Sequence, residues 1–409
     1  MMNKSFFTLV LGQSCANLAD VWYVVALVTF IYNQTGSATA TALIPFLVNI
    51  AMFAGGIFAP ALIDRVSLKQ GLAWSQLGKT LLLVGLIGFI HIFTGPVWVI
   101  LLLMMCISLL DSIANPIRNT CVPILVGDEQ LHRANSLIAS IDQMVRLGAW
   151  PLGGILIAAF HSTALLFICL FFYMLATVFM FVLKVETPTR SRLEAPPMLT
   201  SIREGWQLTF KSSVLKGLTW VSFLEGLATG VWIAAILYVY VEQQLHLSQA
   251  WWGYINAVFF GGMIVGSLLS AKYSARFQPA HYGMIIFYSS LFLALMTVGF
   301  GHTTVGWAAL LLSGLYGVGE QMKVIIIQTT LQKSASLDAL PKIFSVQNVI
   351  ATVSFGASTL LLSAITDYFG VIRAFDISAL LLCCSAFAIF RVRRHFTSSG
   401  VTKYETTIS

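Results

Sequence analysis

Residues 164–183, ALLFICLFFYMLATVFMFVL, form a run of 20 amino acids without one charged side chain. Stretches of the same kind recur along the chain, LLLVGLIGFIHIF at 81–93 among them. A helix needs about 20 predominantly apolar residues to cross the hydrocarbon core of a bilayer. Inside that core every backbone polar group must be satisfied internally, which leaves helices or closed barrels. Continuous apolarity, rather than strict alternation, selects helices. Composition agrees: 10% of the 409 residues are charged, against about 25% in soluble domains, and 58% are hydrophobic, with a mean hydropathy of +0.85. The chain is expected to be an all-α, multi-pass membrane protein whose first partner is the lipid bilayer.

The apolar pattern predicts twelve spans, at roughly 6–32, 38–62, 71–92, 96–117, 136–159, 163–184, 215–241, 251–271, 282–300, 304–326, 344–366 and 372–392. The first stretch has no small-residue cleavage site and reads as a mature span, not as a signal peptide. An even number of spans puts both termini on the same side. Lysine and arginine concentrate near the N-terminus, in the even-numbered connections and in the C-terminal tail, as at Lys4, Lys69, Arg133, Lys211, Lys333 and Arg394. The odd connections, such as NQTGSA, FHST and GHTT, have neither, and only Arg373 sits at the last one. Basic residues mark the cytoplasmic side, so both termini are expected in the cytoplasm. The same asymmetry accounts for the net charge of +7, and nucleic acid is set aside as a partner. The six cysteines lie in or beside apolar spans without metal-ligand spacing. They read as small buried hydrophobes, with no disulfide and no metal expected.

The longest connection, 185–214, contains ETPTRSRLEAPPML, polar and proline-bearing, and reads as a cytoplasmic linker. It separates six spans (1–184) from six (215–396), followed by a tail at 397–409. The halves echo each other at an offset of about 210 residues: VW at 21–22 recurs at 231–232, and GIFAPALIDR at 56–65 is answered by GSLLSAKYSAR at 266–276. Two parallel repeats of this sort are an architecture of secondary transporters, with the substrate site between the halves.

Polar side chains inside spans are costly and face a bundle interior or a cavity. In the first span Gln13, Asn17 and Asp20 follow i, i+4, i+7, one helical face. Asp111, Asn115 and Arg118 repeat that spacing in the fourth span, and Asn135, Asp142 and Arg146 share a face in the fifth. Asp142 and Arg146 are an acid four residues before a base, the favourable order for a structural or gating pair. Glu320 and Lys323 stand at i, i+3, and either pair with each other or face the transport path. Lys79 has no acid partner in its own helix; it either snorkels or meets a carboxylate from elsewhere. Asp20 and Glu225 lie near mid-span with no base within a turn. Burial disfavours their charged form, so such groups can gain and lose a proton near neutral pH. They read as proton-coupling sites or anchors for a cationic substrate, against the simpler alternative of ion pairs to Lys79 or Arg146 across helices. Tyr23, one turn from Asp20, and Trp232, two turns from Glu225, are candidate walls of an aromatic cavity.

These residues carry a family resemblance. LGQSCANLADVWYVVALVTFIYNQTGSATATA resembles the first span of the major facilitator superfamily, with Gln13, Asp20, Gly36 and Ser37 matching the branch of drug:proton antiporters that includes macrolide-efflux-like proteins and the enterobactin exporter. NPIRNTCVPILVGDEQLHRANSL is similar to that branch's signature after span 4, through Pro116, Arg118, Pro123, Leu131, Ala134 and Asn135. The superfamily's loop motif between spans 2 and 3 is thinned: PALIDRVSLK keeps Asp64, Arg65 and Lys69 but has Pro60 and Ser67 at its glycines. WPLGG, at 150–154, stands where the antiporters' Gly-Pro-x-x-Gly-Gly would be, one residue short.

The resemblance implies the major facilitator fold, twelve transmembrane helices in two six-helix bundles, in an inner-membrane transporter with no cofactor that works as a monomer. It also implies proton-coupled efflux of small amphipathic or cationic organic molecules, as in multidrug resistance. Proton coupling is expected at Asp20, Glu225 and Glu320, and substrate binding at Gln13, Asn17, Tyr23 and Trp232. Gating is expected at Asp64, Arg65, Asp111, Arg118, Asp142 and Arg146. A dedicated siderophore or metabolite exporter and a lysophospholipid flippase are the alternatives on the same fold. No G-x-x-x-x-G-K-[ST] loop is present, so the energy source is expected to be an ion gradient. No histidine pair with metal spacing and no nucleophile motif point to an enzyme.

Overall fold

The computed structural model describes residues 3–35, 38–63, 66–92, 96–185, 198–232, 234–248, 250–274 and 278–396. Among them there is no β-strand. The long helices are α1 (Lys4–Thr35), α2 (Ala38–Ile63), α3 (Leu68–Ile92), α4 (Val97–Val126), α5 (Leu131–Val182), α9 (Ala250–Lys272), α10 (Tyr282–His302), α11 (Gly306–Lys333), α12 (Leu340–Phe369) and α13 (Val371–Val392). Shorter helices are α6 (Met198–Lys211), α7 (Ser213–Ala228) and α8 (Ala234–Gln243). Each predicted span falls on helix. Two of them share α5, whose limbs meet at His161, a residue with φ 65 and ψ 163. Another is divided between α7 and α8. Among the described residues nine helices are long and apolar enough to cross a membrane, and Ser213–Trp232 with Ile236–Gln243 makes a tenth when taken as one bent span.

The division of the seventh span has a local chemistry. After α7 the chain tightens into a 3-10 turn, Thr229–Trp232, which frees backbone groups that hydrocarbon would leave unsatisfied. Serines from other helices supply partners. Ser358 of α12 donates to the Leu227 carbonyl and accepts from the Gly230 amide, the latter at 3.1 Å, and Ser378 of α13 donates to the Ala228 carbonyl at 2.7 Å.

The connection read as a linker is in part regular. Its residues 198–211 form α6, where the sequence reading had no helix. Glu204 of α6 accepts from Lys342, at the start of α12, at 2.7 Å. Residues 186–197 lie outside the described residues.

Contacts group the chain into two compact units. One comprises Met1–Gly127, Met144–Trp206 and Pro341–Val349, the other Asp128–Gln143, Gln207–Leu340 and Ile350–Ser409. The first unit's core gathers Ala19, Trp22 and Tyr23 of α1 with Leu83 of α3, Met104 of α4 and Tyr173 of α5. Trp22 donates its indole N–H to the Ala149 carbonyl at 2.9 Å, so its ring is oriented as well as buried. In the second unit α9 and α11 meet backbone to backbone. A Cβ built on Gly262 would lie 2.2 Å from the Gly314 carbonyl oxygen, and one on Gly317 would lie 2.3 Å from that of Phe259. Small residues at a crossing let membrane helices approach this closely and gain dispersion contact. The same unit includes the start of α5, as far as Gln143, held by neutral side chains: His132 to Ser270 at 2.8 Å, Ser140 to Ser267 at 2.6 Å and Gln143 to Gln321 at 3.0 Å.

Candidate functional site

Asp20 does have a base, from another helix. Lys79 of α3, 1% exposed, places its Nζ 2.8 Å from Asp20 Oδ1 and 2.9 Å from Asp111 Oδ1 of α4. Tyr173 of α5 donates its hydroxyl to Asp20, and its ring lies 5.0 Å from the lysine Nζ. Asn115, one turn along α4, donates to Asp111 Oδ2 at 3.3 Å. The Asp20 side chain is 24% exposed and that of Asp111 20%. The first unit thus encloses two carboxylates on a single ammonium, and with both acids ionised the cluster carries one surplus negative charge.

The second unit repeats the theme. Lys323 of α11, fully buried, lies 2.9 Å from Glu225 Oε2 of α7 and 2.9 Å from Glu320 Oε2 one turn earlier in its own helix. The other oxygen of Glu225 accepts from Ser290 of α10 at 2.9 Å and from Ser385 of α13 at 2.8 Å. Glu225 is therefore held from three helices besides its own.

The remaining candidates divide by location. Gln13 and Asn17 are half-buried on α1 and bond each other, Gln13 Nε2 donating to Asn17 Oδ1 at 2.7 Å. Tyr23 is 3% exposed, with its hydroxyl 3.5 Å from that of Ser108 and its ring 6.5 Å from that of Tyr173. Trp232 packs among aromatics, 4.5 Å from Tyr316 and 4.8 Å from Phe300 by ring centroid. Asp111, expected among the gating residues, shares Lys79 with Asp20. Arg118 is half-buried two turns further along α4. Asp142 is half-buried and Arg146 exposed, the former in the second compact unit and the latter in the first. Asp64 and Arg65 lie outside the described residues.

Four contributors escaped the sequence reading in whole or part. The sequence does not single out Tyr173, Ser290 or Ser385, and Lys79 stands there only as an alternative ion-pair partner for Asp20. A hydroxyl in a span bonds its own helix so readily that its presence alone carries no signal. Tyr173 had a weak one: a phenol in the middle of an apolar run needs a partner when buried.

Residues 9–359 match the family described as Major Facilitator Superfamily. The chain belongs to that superfamily. It is 28% identical over 383 residues to the uncharacterized MFS-type transporter YjbB of Bacillus subtilis, covering 93% of each chain. It is 20% identical over 396 residues to macrolide efflux protein A of Streptococcus pyogenes, covering 93% of this chain and 94% of that one. Among solved structures, a bacterial homologue of the iron transporter ferroportin in the outward-facing state superposes with a TM-score of 0.77 at 15% identity, covering 95% of this chain and 99% of that one. The E. coli fucose:proton symporter FucP gives a TM-score of 0.74 at 16% identity, with 94% and 98% covered. At these identities the structural likeness establishes the fold. The expected all-α membrane architecture is the one these superfamily members share, and the chain is a multi-pass transporter, not an enzyme.

Proposed function

We propose that this superfamily member is a proton-coupled exporter of small amphipathic or cationic organic molecules, oriented in the cell's inner membrane with both termini in the cytoplasm. The observation that carries the reading is the two-to-one ratio of carboxylates to ammonium at Asp20, Lys79 and Asp111. A surplus charge in a low-dielectric interior is costly. It is relieved by a proton taken up at the cluster, or by the positive charge of a substrate nearby. Proton and cation then compete for one deficit, which is what exchange requires. Gln13 and Asn17, on the same face of α1, and the buried Tyr23 supply polar and aromatic surface for an organic cation. The similarity to macrolide efflux protein A supports export of organic molecules. Asp64, Arg65, Arg118, Asp142 and Arg146 remain gating candidates by position.

The test uses the full chain in everted membrane vesicles or proteoliposomes, with ethidium and erythromycin as probes. An acid interior, with the membrane potential clamped at zero, should drive accumulation of at least one probe, and a protonophore should release it. Accumulation that survives the protonophore, or no response of either probe to the gradient, would refute proton-driven export of this class.

A further inference from the structure

We propose that the Glu225–Lys323–Glu320 cluster is a second proton site, built to the same charge balance as the first, so that a transport cycle exchanges two protons. This inference rests on the reading of the first cluster as a coupling site. Asp20 and Asp111 lie on the first and fourth spans of the first half, and Glu225 and Glu320 lie on the first and fourth spans of the second. The two pairs are separated by roughly the 210 residues at which the halves repeat. The bases do not follow this repeat. Lys79 comes from the third span of its half, whereas Lys323 sits on the fourth, beside Glu320. Two-to-one clusters are thus reached through non-equivalent lysines, so the charge ratio is not a passive copy of one half in the other.

The surroundings of the second cluster leave the deficit to be filled from outside it. Ser290 from α10 and Ser385 from α13 meet Glu225 as hydroxyl donors. Ser354 of α12 stands against Gly226, beside it in the chain. Tyr316 lies one turn before Glu320 on α11, in contact with the Trp232 ring. Among the described residues Lys323 is the one cation that pairs with either acid. Neutral hydroxyls can stabilise a carboxylate, but they cannot cancel its charge. With both acids ionised the cluster is one charge negative; with one proton it is neutral. Glu225 is fixed in place by two hydroxyls and the ammonium. Glu320 is the more exposed of the two acids, 19% against 11% for Glu225. In each cycle one proton is taken up by the cluster on the acid side and the same proton is released on the other.

The two sites can be counted separately. Across a one-unit pH gradient at zero potential, each exchanged proton contributes about 1.4 kcal/mol, a tenfold factor in the limiting accumulation ratio. Two sites give a limit of about 100-fold for ethidium, and Glu320→Gln, which leaves Glu225 and Lys323 as a neutral pair, should lower it to about tenfold. Asp20→Asn should do the same at the other cluster, and the double variant should not concentrate the dye at all. Infrared difference spectra of the purified full-length chain between acid and alkaline pH provide a readout independent of transport. The wild type should lose protonated-carboxyl absorbance equivalent to two groups, and Glu320→Gln that of one. If Glu320→Gln matches the wild type in infrared absorbance, the second site is refuted whatever its transport activity. If Asp20→Asn still lowers the ratio tenfold in that case, the first cluster's role stands by itself.

Discussion

Replacing Asp20 by asparagine separates charge from shape in the first cluster. Asparagine keeps an oxygen that can accept the Tyr173 hydroxyl and occupies nearly the same volume. Lys79 remains paired with Asp111 at 2.9 Å, so one carboxylate now faces one ammonium and the cluster is neutral without a proton. Removing one partner of a buried pair costs about 3–5 kcal/mol when it strands a charge. Here no charge is stranded, and the loss should be nearer the 0.5–1.5 kcal/mol (roughly) of a net hydrogen bond. Lys79→Met is the contrasting case: it strands two carboxylates and should fall in the upper range, with a large drop in melting temperature. The functional effect of Asp20→Asn is set by the lost proton. Across a one-unit pH gradient at zero potential, the limiting ethidium ratio should fall about tenfold, while downhill movement of the dye persists. Both are read in proteoliposomes, from the steady-state ratio and from the initial rate with no pH gradient. An unchanged ratio in Asp20→Asn would refute the charge-deficit reasoning, since its only premise is that one carboxylate fewer removes the need for one proton.

Tyr173→Phe removes the hydroxyl that donates to Asp20 but keeps the ring beside Lys79; a hydrogen bond of about 1 kcal/mol corresponds to a roughly fivefold shift in the cluster's proton affinity, visible as a displaced pH profile of ethidium transport with the limiting ratio preserved. Gly262→Ala should destabilise the purified protein by more than about 2 kcal/mol, because its methyl group would fall 2.2 Å from a backbone oxygen, whereas Gly261→Ala, with open space around it, should unfold at the wild-type temperature or above. Cysteines introduced at Ser191 and Thr303 should react with an impermeant thiol reagent from opposite sides of the membrane; labelling of Ser191 from outside intact cells would overturn the assigned orientation.

The helices were legible because hydrocarbon imposes a one-dimensional rule: an uninterrupted apolar stretch of sufficient length must be a span. The same rule exposed the polar stripes, and it found Glu320 and Lys323 as neighbours because i, i+3 spacing is a local fact. It offered Lys79 for Asp20 only as one alternative beside Arg146, and periodicity could not choose between them. Lys79 is 59 residues away in sequence, and only the tertiary fold of the first unit brings its side chain to Asp20. Glu225 and Lys323 are joined likewise, through the packing of α7 against α11. Periodicity reports which face of a helix a residue occupies, never which helix that face will meet. Asp111 shows the consequence. Its stripe with Arg118 suggests a gate, and nothing in the stripe tells that tertiary packing brings its carboxylate to Lys79. The break after α7 was hidden for a related reason: the serines that satisfy its freed backbone groups come from α12 and α13 and look, in sequence, like any other small residues.

The contact between α9 and α11 bears on which parts of the second unit can move. Most helix interfaces contain side chains that change rotamer, so the helices can tilt by a few degrees while the interface re-forms. At Gly262 and Gly317 no such layer exists; one main chain rests directly on the other. That surface has two options, to stay in place or to jump by a whole helical repeat. The pair therefore behaves as a single beam, and Glu320 and Lys323 ride on it. Any deformation of this unit during a cycle must be taken up elsewhere, and the 3-10 turn after α7, next to Glu225, is the segment whose backbone bonds depend on side chains that can let go. The acid that closes the cluster is mounted at the compliant end, and the base is mounted on the stiff one.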